Sequence, residues 1–247
     1  MDDHGIAADL AGRAGELLLD LRARAGTEGL EGKALGAAGD ASADEFLLAE
    51  LARLRPGDPV LSEESKDDRV RLSSDRVWIV DPLDGTREYS EGRSDWAVHV
   101  ALVEATVPVA AAVALPGEAL TLSTLAPPPP RPDPPRRPRI LVSRTRPPGF
   151  ATVLADGLGG DLVPMGSAGA KAMAVVRGVA DVYAHAGGQY EWDSAAPVGV
   201  AAAAGMHVSR VDGSVLAYNN ADPYLPDVLV CHPALAEAVL GILSRAL

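Results

Sequence analysis

Apolar residues recur at helical spacing over 6–24. Ile6, Leu10, Ala14, Leu17, Leu18 and Leu21 share a face and predict an amphipathic first helix. A second helical pattern runs over about 41–54, with Phe46, Leu47, Leu51 and Leu54 together, and Arg55-Pro56-Gly57-Asp58-Pro59 stops it. Asp40 stands where that helix needs an N-cap, and the Gly-rich residues 25–39 before it read as a mobile, turn-rich segment. From Val60 the pattern shifts to short apolar runs. Val60-Leu61 and Val77-Trp78-Ile79-Val80 predict strands. Trp96–Val103 predicts a largely buried strand, with Val107–Leu115 and Ala119–Leu125 as sheet partners separated at Pro116-Gly117.

Residues 126–138 are a Pro-rich run that can continue neither a helix nor a central strand. They divide the chain into an N-terminal half, 1–125, a linker or surface loop, 126–138, and a C-terminal half, 139–247. The second half restarts with a strand at Arg139–Ser143. A helix over about 168–177, a strand at Ala180–Ala184 and an Ala-rich helix opened by Trp192-Asp193 follow. Asp212-Gly213 predicts the turn of a hairpin between Met206–Val211 and Val215–Tyr218. A strand at 227–231 and a helix at 233–246 close the chain.

Composition narrows the function classes. The chain has 247 residues and 47 % hydrophobic content, enough for one large α/β domain or two intimate halves. Aromatics are only 4 %, so Ala, Val and Leu must fill the core. A net charge of −12 argues against nucleic acid polymers and anionic membrane surfaces as partners. It is compatible with a small anionic substrate if divalent cations reverse the local sign. One cysteine, Cys231, excludes an internal disulfide. The N-terminus lacks a basic and apolar leader, and no apolar run approaches the roughly 18 residues of a membrane span. A cytoplasmic protein is expected.

The chemistry concentrates in Asp81-Pro82-Leu83-Asp84-Gly85-Thr86, directly after an apolar strand. Pro82 forces a turn, so both carboxylates and the Leu83 carbonyl can face one site. Mg²⁺ prefers such oxygen ligands. Gly85 and Thr86 fall at a predicted helix start, where free N–H groups favour phosphate. Glu63 of the pair Glu63-Glu64 ends a neighbouring strand and can share an ion with Asp81, and Asp193 can supply a ligand from the other half. Thr86 is too weak a base alone, and Asp40 is the candidate carboxylate to activate it.

This ordered set resembles the lithium-sensitive, Mg²⁺-dependent phosphatase superfamily of inositol monophosphatases, fructose-1,6-bisphosphatases and 3′(2′),5′-bisphosphate nucleotidases. The matching residues are Asp40, Glu63-Glu64, Asp81–Thr86 and Trp192-Asp193-Ser194-Ala195. The resemblance implies a five-layer αβαβα sandwich with the site between the halves. It implies two to three Mg²⁺ ions held by Glu63, Asp81, the Leu83 carbonyl, Asp84 and Asp193, with Asp40 and Thr86 catalytic. Arg87-Glu88-Tyr89 after Thr86, Lys171 after Gly169-Ala170, and Glu191–Ala196 are similar to CysQ-type nucleotidases. That similarity implies removal of the 3′-phosphate from 3′-phosphoadenosine 5′-phosphate. Gly85, Thr86, Arg87, Gly169, Lys171 and Asp193 are then the expected substrate contacts, Arg87 and Lys171 toward the second phosphate. Tyr89 is a candidate for stacking on the base. Inositol or fructose phosphates are the alternative substrates, and a non-catalytic metal and nucleotide sensor is a remoter reading. The expected partners are the small nucleotide and, at most, a second copy of the chain as a homodimer.

Overall fold

The computed structural model describes residues 1–247, the side chain of Glu28 excepted. Two helices, α1 (Asp3–Glu28) and α2 (Gly32–Leu54), precede the first sheet. Its strands are β1 (Val60–Ser62), β2 (Arg76–Asp84), β3 (Ala97–Glu104), β4 (Val107–Leu115) and β5 (Leu120–Ser123), hydrogen-bonded in chain order. β1 lies parallel to β2, and the remaining neighbours are antiparallel. A five-residue helix, α3 (Thr86–Ser90), follows β2 directly.

The second sheet has strand order β7-β6-β8-β10-β9. These are β6 (Arg139–Ser143), β7 (Asp161–Met165), β8 (Val182–Tyr190), β9 (His207–Ser209) and β10 (Tyr224–Cys231). α4 (Ala151–Leu158) joins β6 to β7, α5 (Ala168–Val176) joins β7 to β8, α6 (Glu191–Ala203) follows β8, and α7 (Ala236–Ala246) ends the chain.

Side-chain alternation explains the layering. In β2, Trp78 and Val80 pack toward α1 and α2, whereas Val77 and Ile79 join the core shared with α5 and α6. That central core also takes Leu141, Tyr183 and Val230 from the second sheet. The outer face of that sheet buries Ile140, Val182 and Leu229 against Leu154 of α4 and Val239 and Leu243 of α7. The order is helices, sheet, helices, sheet, helices, which is the expected αβαβα sandwich. Small residues allow close layers: a Cβ on Gly199 of α6 would stand 2.8 Å from the Ala111 Cβ.

Three expectations are corrected. Residues 25–39 are almost wholly helical, because α1 extends to Glu28 and α2 begins at Gly32. Asp40 is therefore interior to α2 and caps nothing. The glycines there serve close packing: a Cβ on Gly36 would lie 2.7 Å from Thr86 Cγ2, and one on Gly39 would lie 3.0 Å from both Leu83 and Tyr89. The hairpin at 206–218 is half formed. Asp212-Gly213 does turn, but after it Ser214–Tyr218 is irregular, and β9 pairs with β10 instead. α4 and β7 carry no strong pattern in the sequence and were not expected.

Residues 126–138 run without regular structure from β5 to β6. Arg131 fastens them, donating to the carbonyls of Val175 at 2.7 Å and Ala180 at 2.9 Å and to Asp181 at 3.0 Å.

Candidate active site

The irregular end of β2 carries the first two carboxylates. Asp81 Oδ1 accepts the Leu83 N–H at 3.0 Å, which closes the turn around Pro82. Gly85 then adopts φ +94°, a left-handed conformation that a side chain would strain, and redirects the chain into α3. Asp193 enters from the other half in the first turn of α6. It accepts the Tyr190 N–H at 2.6 Å in a capping box. Carboxylate oxygens of Asp81, Asp84 and Asp193 all lie within 4.8 Å of one another. Glu63, just after β1, lines a cleft of about 370 Å³ together with Asp84 and Asp193 and stays exposed on its outer side.

This concentration of acids disturbs their protonation. Burial, followed by the charges of Glu63 and Asp84, raises Asp81 well above its ordinary value. Partial desolvation and the charges of Asp193 and Asp84 push Glu63 up to about 7. Burial and Asp84 push Asp193 up to about 6. Asp84 behaves in the opposite way. Burial opposes its charge, yet His99 and the Ser167 hydroxyl hold it at about 2. Ser167 Oγ donates to Asp84 Oδ2 at 2.5 Å, and the Gly169 N–H does so at 2.6 Å.

The donor set fits a hard divalent cation. It is all oxygen, and Asp81 Oδ2 is buried without any hydrogen-bond donor. Burial first, and then the neighbouring carboxylates, raise Asp81, Glu63 and Asp193, the setting that a bound cation would relieve.

Thr86 and Asp40 meet beside this cluster. Thr86 Oγ1 lies 3.1 Å from Asp40 Oδ1 and 3.2 Å from the Leu83 carbonyl, which must share its single proton. Burial and the charge of Glu64 push Asp40 up to about 6. One helical turn on, Asp44 accepts from Ser62 Oγ at 2.5 Å and Ser65 Oγ at 2.7 Å, gripping the two residues that bracket Glu63-Glu64.

Other expected substrate contacts sit differently. Gly85 and Lys171 line the cleft. However, Lys171 Nζ donates to the carbonyls of Ser167 at 2.5 Å and Gly166 at 3.4 Å and lies over the Tyr183 ring. The Gly169 N–H is committed to Asp84. Arg87 is exposed and pairs with Glu91 at 3.5 Å. Tyr89 is buried, donates to the Leu18 carbonyl at 2.8 Å and packs edge-on to Trp96, so it cannot stack on a base.

The structure adds residues that the sequence did not single out. A groove of about 350 Å³, containing Arg87, Arg144, Arg146 and Lys171, shares Glu88, Ser143 and Ser167 with the acidic cleft. Arg144 binds Glu88 at 2.9 Å and Glu91 at 2.7 Å. Arg146 is exposed and has no acidic partner among the described residues. Both follow β6. The connection from β6 goes to β7 by α4 on the outer face, and the next goes to β8 by α5 on the inner face. Ligands settle at such a switch between parallel strands. At the cleft rim, half-exposed Tyr190 stacks on Trp192, with centroids 4.8 Å apart. Glu191, fully buried, accepts from Asn219 and Asn220, and Arg71 of the first half holds the same two residues.

Fold and site together place this chain in the inositol monophosphatase family, whose model matches residues 4–126 and 141–246. Within the family, it is 51 % identical over 258 aligned positions to a 3′-phosphoadenosine 5′-phosphate phosphatase of Mycobacterium leprae, covering 99 % of this chain and 94 % of that protein. It is 31 % identical to the 3′(2′),5′-bisphosphate nucleotidase CysQ of Salmonella typhimurium, over 76 % of this chain and 81 % of that protein. Among solved structures, CysQ from Bacteroides thetaiotaomicron superposes with a TM-score of 0.79 at 29 % identity, covering 92 % of this chain and 95 % of that one. No helix of the described residues is long and apolar enough to cross a membrane.

Proposed function

We propose that this protein hydrolyses the 3′-phosphate of 3′-phosphoadenosine 5′-phosphate, giving AMP and phosphate, with two to three Mg²⁺ ions in the acidic cluster. One observation carries the chemistry: three carboxylates from two halves of the fold converge within 4.8 Å at a cleft that continues into an arginine-lined groove. The relatives named as phosphatases of this nucleotide support the choice of substrate.

Glu63, Asp81, the Leu83 carbonyl, Asp84 and Asp193 are the proposed cation ligands. The cations would supply positive charge to the transferring phosphoryl group and make water more acidic. Asp40 holds the Thr86 hydroxyl and accepts its proton. Thr86 Oγ1 in turn takes the proton of the attacking water. The water oxygen bonds to phosphorus as the bond to the 3′-oxygen breaks, and the 3′-oxygen leaves as a hydroxyl with a proton drawn from solvent water. The second phosphate reaches Arg146, the groove cation with no acidic partner among the described residues, with Arg144 beside it. Lys171 contributes charge from the groove floor. Tyr190 offers an aromatic surface to the base.

Product identification tests the reading. Incubation of the bisphosphate with protein and Mg²⁺, followed by phosphorus NMR, is expected to show 5′-AMP and inorganic phosphate. Release of the 5′-phosphate instead, leaving 3′-AMP, would overturn the assignment of which phosphate meets the carboxylates.

A further inference from the structure

His99 lies near the start of β3, on the face where Ala97, Ala101 and Val103 belong to the central core. It is 0 % exposed. A polar ring in that row gives up hydration and apolar packing, a cost that only well-used polar contacts offset. Its Nδ1 is 3.0 Å from the Trp192 carbonyl oxygen. A carbonyl can only accept, so Nδ1 carries the proton and donates. That carbonyl belongs to the peptide leading straight into Asp193. On the other side of the ring, Nε2 stands 3.3 Å from Asp84 Oδ2, a close contact without hydrogen-bond geometry. A Cβ on Gly169 would be 2.0 Å from Nε2, so α5 approaches the ring as closely as backbone allows.

We infer that His99 is a positioning residue that sets the spacing between Asp84 and Asp193, and that Gly169 lacks a side chain to leave the imidazole in place. The two carboxylates come from different layers, at the end of β2 and the start of α6. His99 is the side chain that touches both the Asp84 carboxylate and the peptide before Asp193. Ser167 and the Gly169 N–H fix Asp84 alone, and the Tyr190 N–H fixes Asp193 alone. The inference rests on the acidic cluster being a cation site.

The test is Mn²⁺ binding to the substrate-free protein, by calorimetry and electron paramagnetic resonance, for wild type, His99→Leu, His99→Asn and Gly169→Ala. Circular dichroism melts without metal verify folding. His99→Leu and Gly169→Ala are expected to weaken Mn²⁺ binding by about 10- to 100-fold while remaining folded, the range seen when partners of metal ligands are lost. His99→Asn keeps a donor toward the Trp192 carbonyl and is expected to fall between them and wild type. If His99→Leu fails to fold, Gly169→Ala decides, because it leaves the ring intact and displaces it. A folded variant at either position with wild-type Mn²⁺ affinity overturns the inference and leaves the cation reading standing. A wild-type protein that takes up no Mn²⁺ overturns both.

Discussion

Thr86 has one hydroxyl proton and two acceptors, Asp40 and the Leu83 carbonyl. The proposed mechanism sends that proton to Asp40, so it needs Asp40 ionised. Thr86→Ala and Asp40→Asn are expected to lower kcat by about 10²- to 10⁴-fold with little change in KM, whereas Thr86→Ser retains the hydroxyl and most of the rate. Because Asp40 is pushed up to about 6 by burial and by Glu64, kcat/KM should fall as pH drops below that value. Bound cations can only move this limb lower, and a limb well above it would count against Asp40. Arg146→Ala should raise KM for the bisphosphate about tenfold or more, as expected for a lost charge-assisted contact, and leave inositol 1-phosphate turnover unchanged. An equal effect on both substrates would remove Arg146 from the second-phosphate role. Asp81 and Asp84 were legible in the sequence because they share one turn, whereas Glu63 and Asp193, on other elements, entered only through the ordered set that resembles the family. His99, Ser167 and Arg146 were not legible, since their contacts exist only after β3, α5 and the loop after β6 are brought together. Two faint signals were present: Asp44 lies one turn after Asp40, and His99 interrupts an otherwise apolar strand.

At the scale of elements, apolar spacing located α1, the strands of the first sheet, β6, α5, α6 and α7. It missed α4 and β7 because their outward positions are mixed: Val153 and Leu162 are exposed. It misjudged the start of α2 because glycine lowers helix propensity, and the packing that outweighs this penalty is tertiary. Gly36 and Gly39 let α2 press on Thr86, Leu83 and Tyr89, so the helix that bears Asp40 is seated directly on the turn that bears Thr86. Gly36→Ala should therefore raise intrinsic helix propensity yet lower kcat by about 100-fold, the scale of loss a displacement of about 1 Å can cause. A melting curve and a kcat determination on the same preparation check this. Unimpaired kcat in Gly36→Ala would show that the contact does not position Thr86.

For the whole molecule, the net charge of −12 includes carboxylates packed in one cleft. Asp40 and Asp193 at about 6 and Glu63 at about 7 lie well above the ordinary carboxyl range. At these three carboxyls the folded, metal-free protein holds protons that the unfolded chain has lost, so the stability they contribute falls as pH rises from about 4 to about 7. Mg²⁺ binding to the folded state should restore stability and flatten that slope, because the cation replaces the protons. Melting temperatures at several pH values, in chelator and in Mg²⁺, read this directly; a flat metal-free profile would contradict the electrostatic account. The central claim, a cation-assisted phosphatase selective for a nucleotide bisphosphate, is tested most directly by kcat/KM. The substrates are 3′-phosphoadenosine 5′-phosphate, inositol 1-phosphate and fructose 1,6-bisphosphate, compared side by side with Mg²⁺ and again with chelator. The account predicts a preference for the nucleotide of about 100-fold or more and loss of all three activities in chelator. Equal turnover of the three, preference for a sugar or polyol phosphate, or hydrolysis that survives chelation would contradict it.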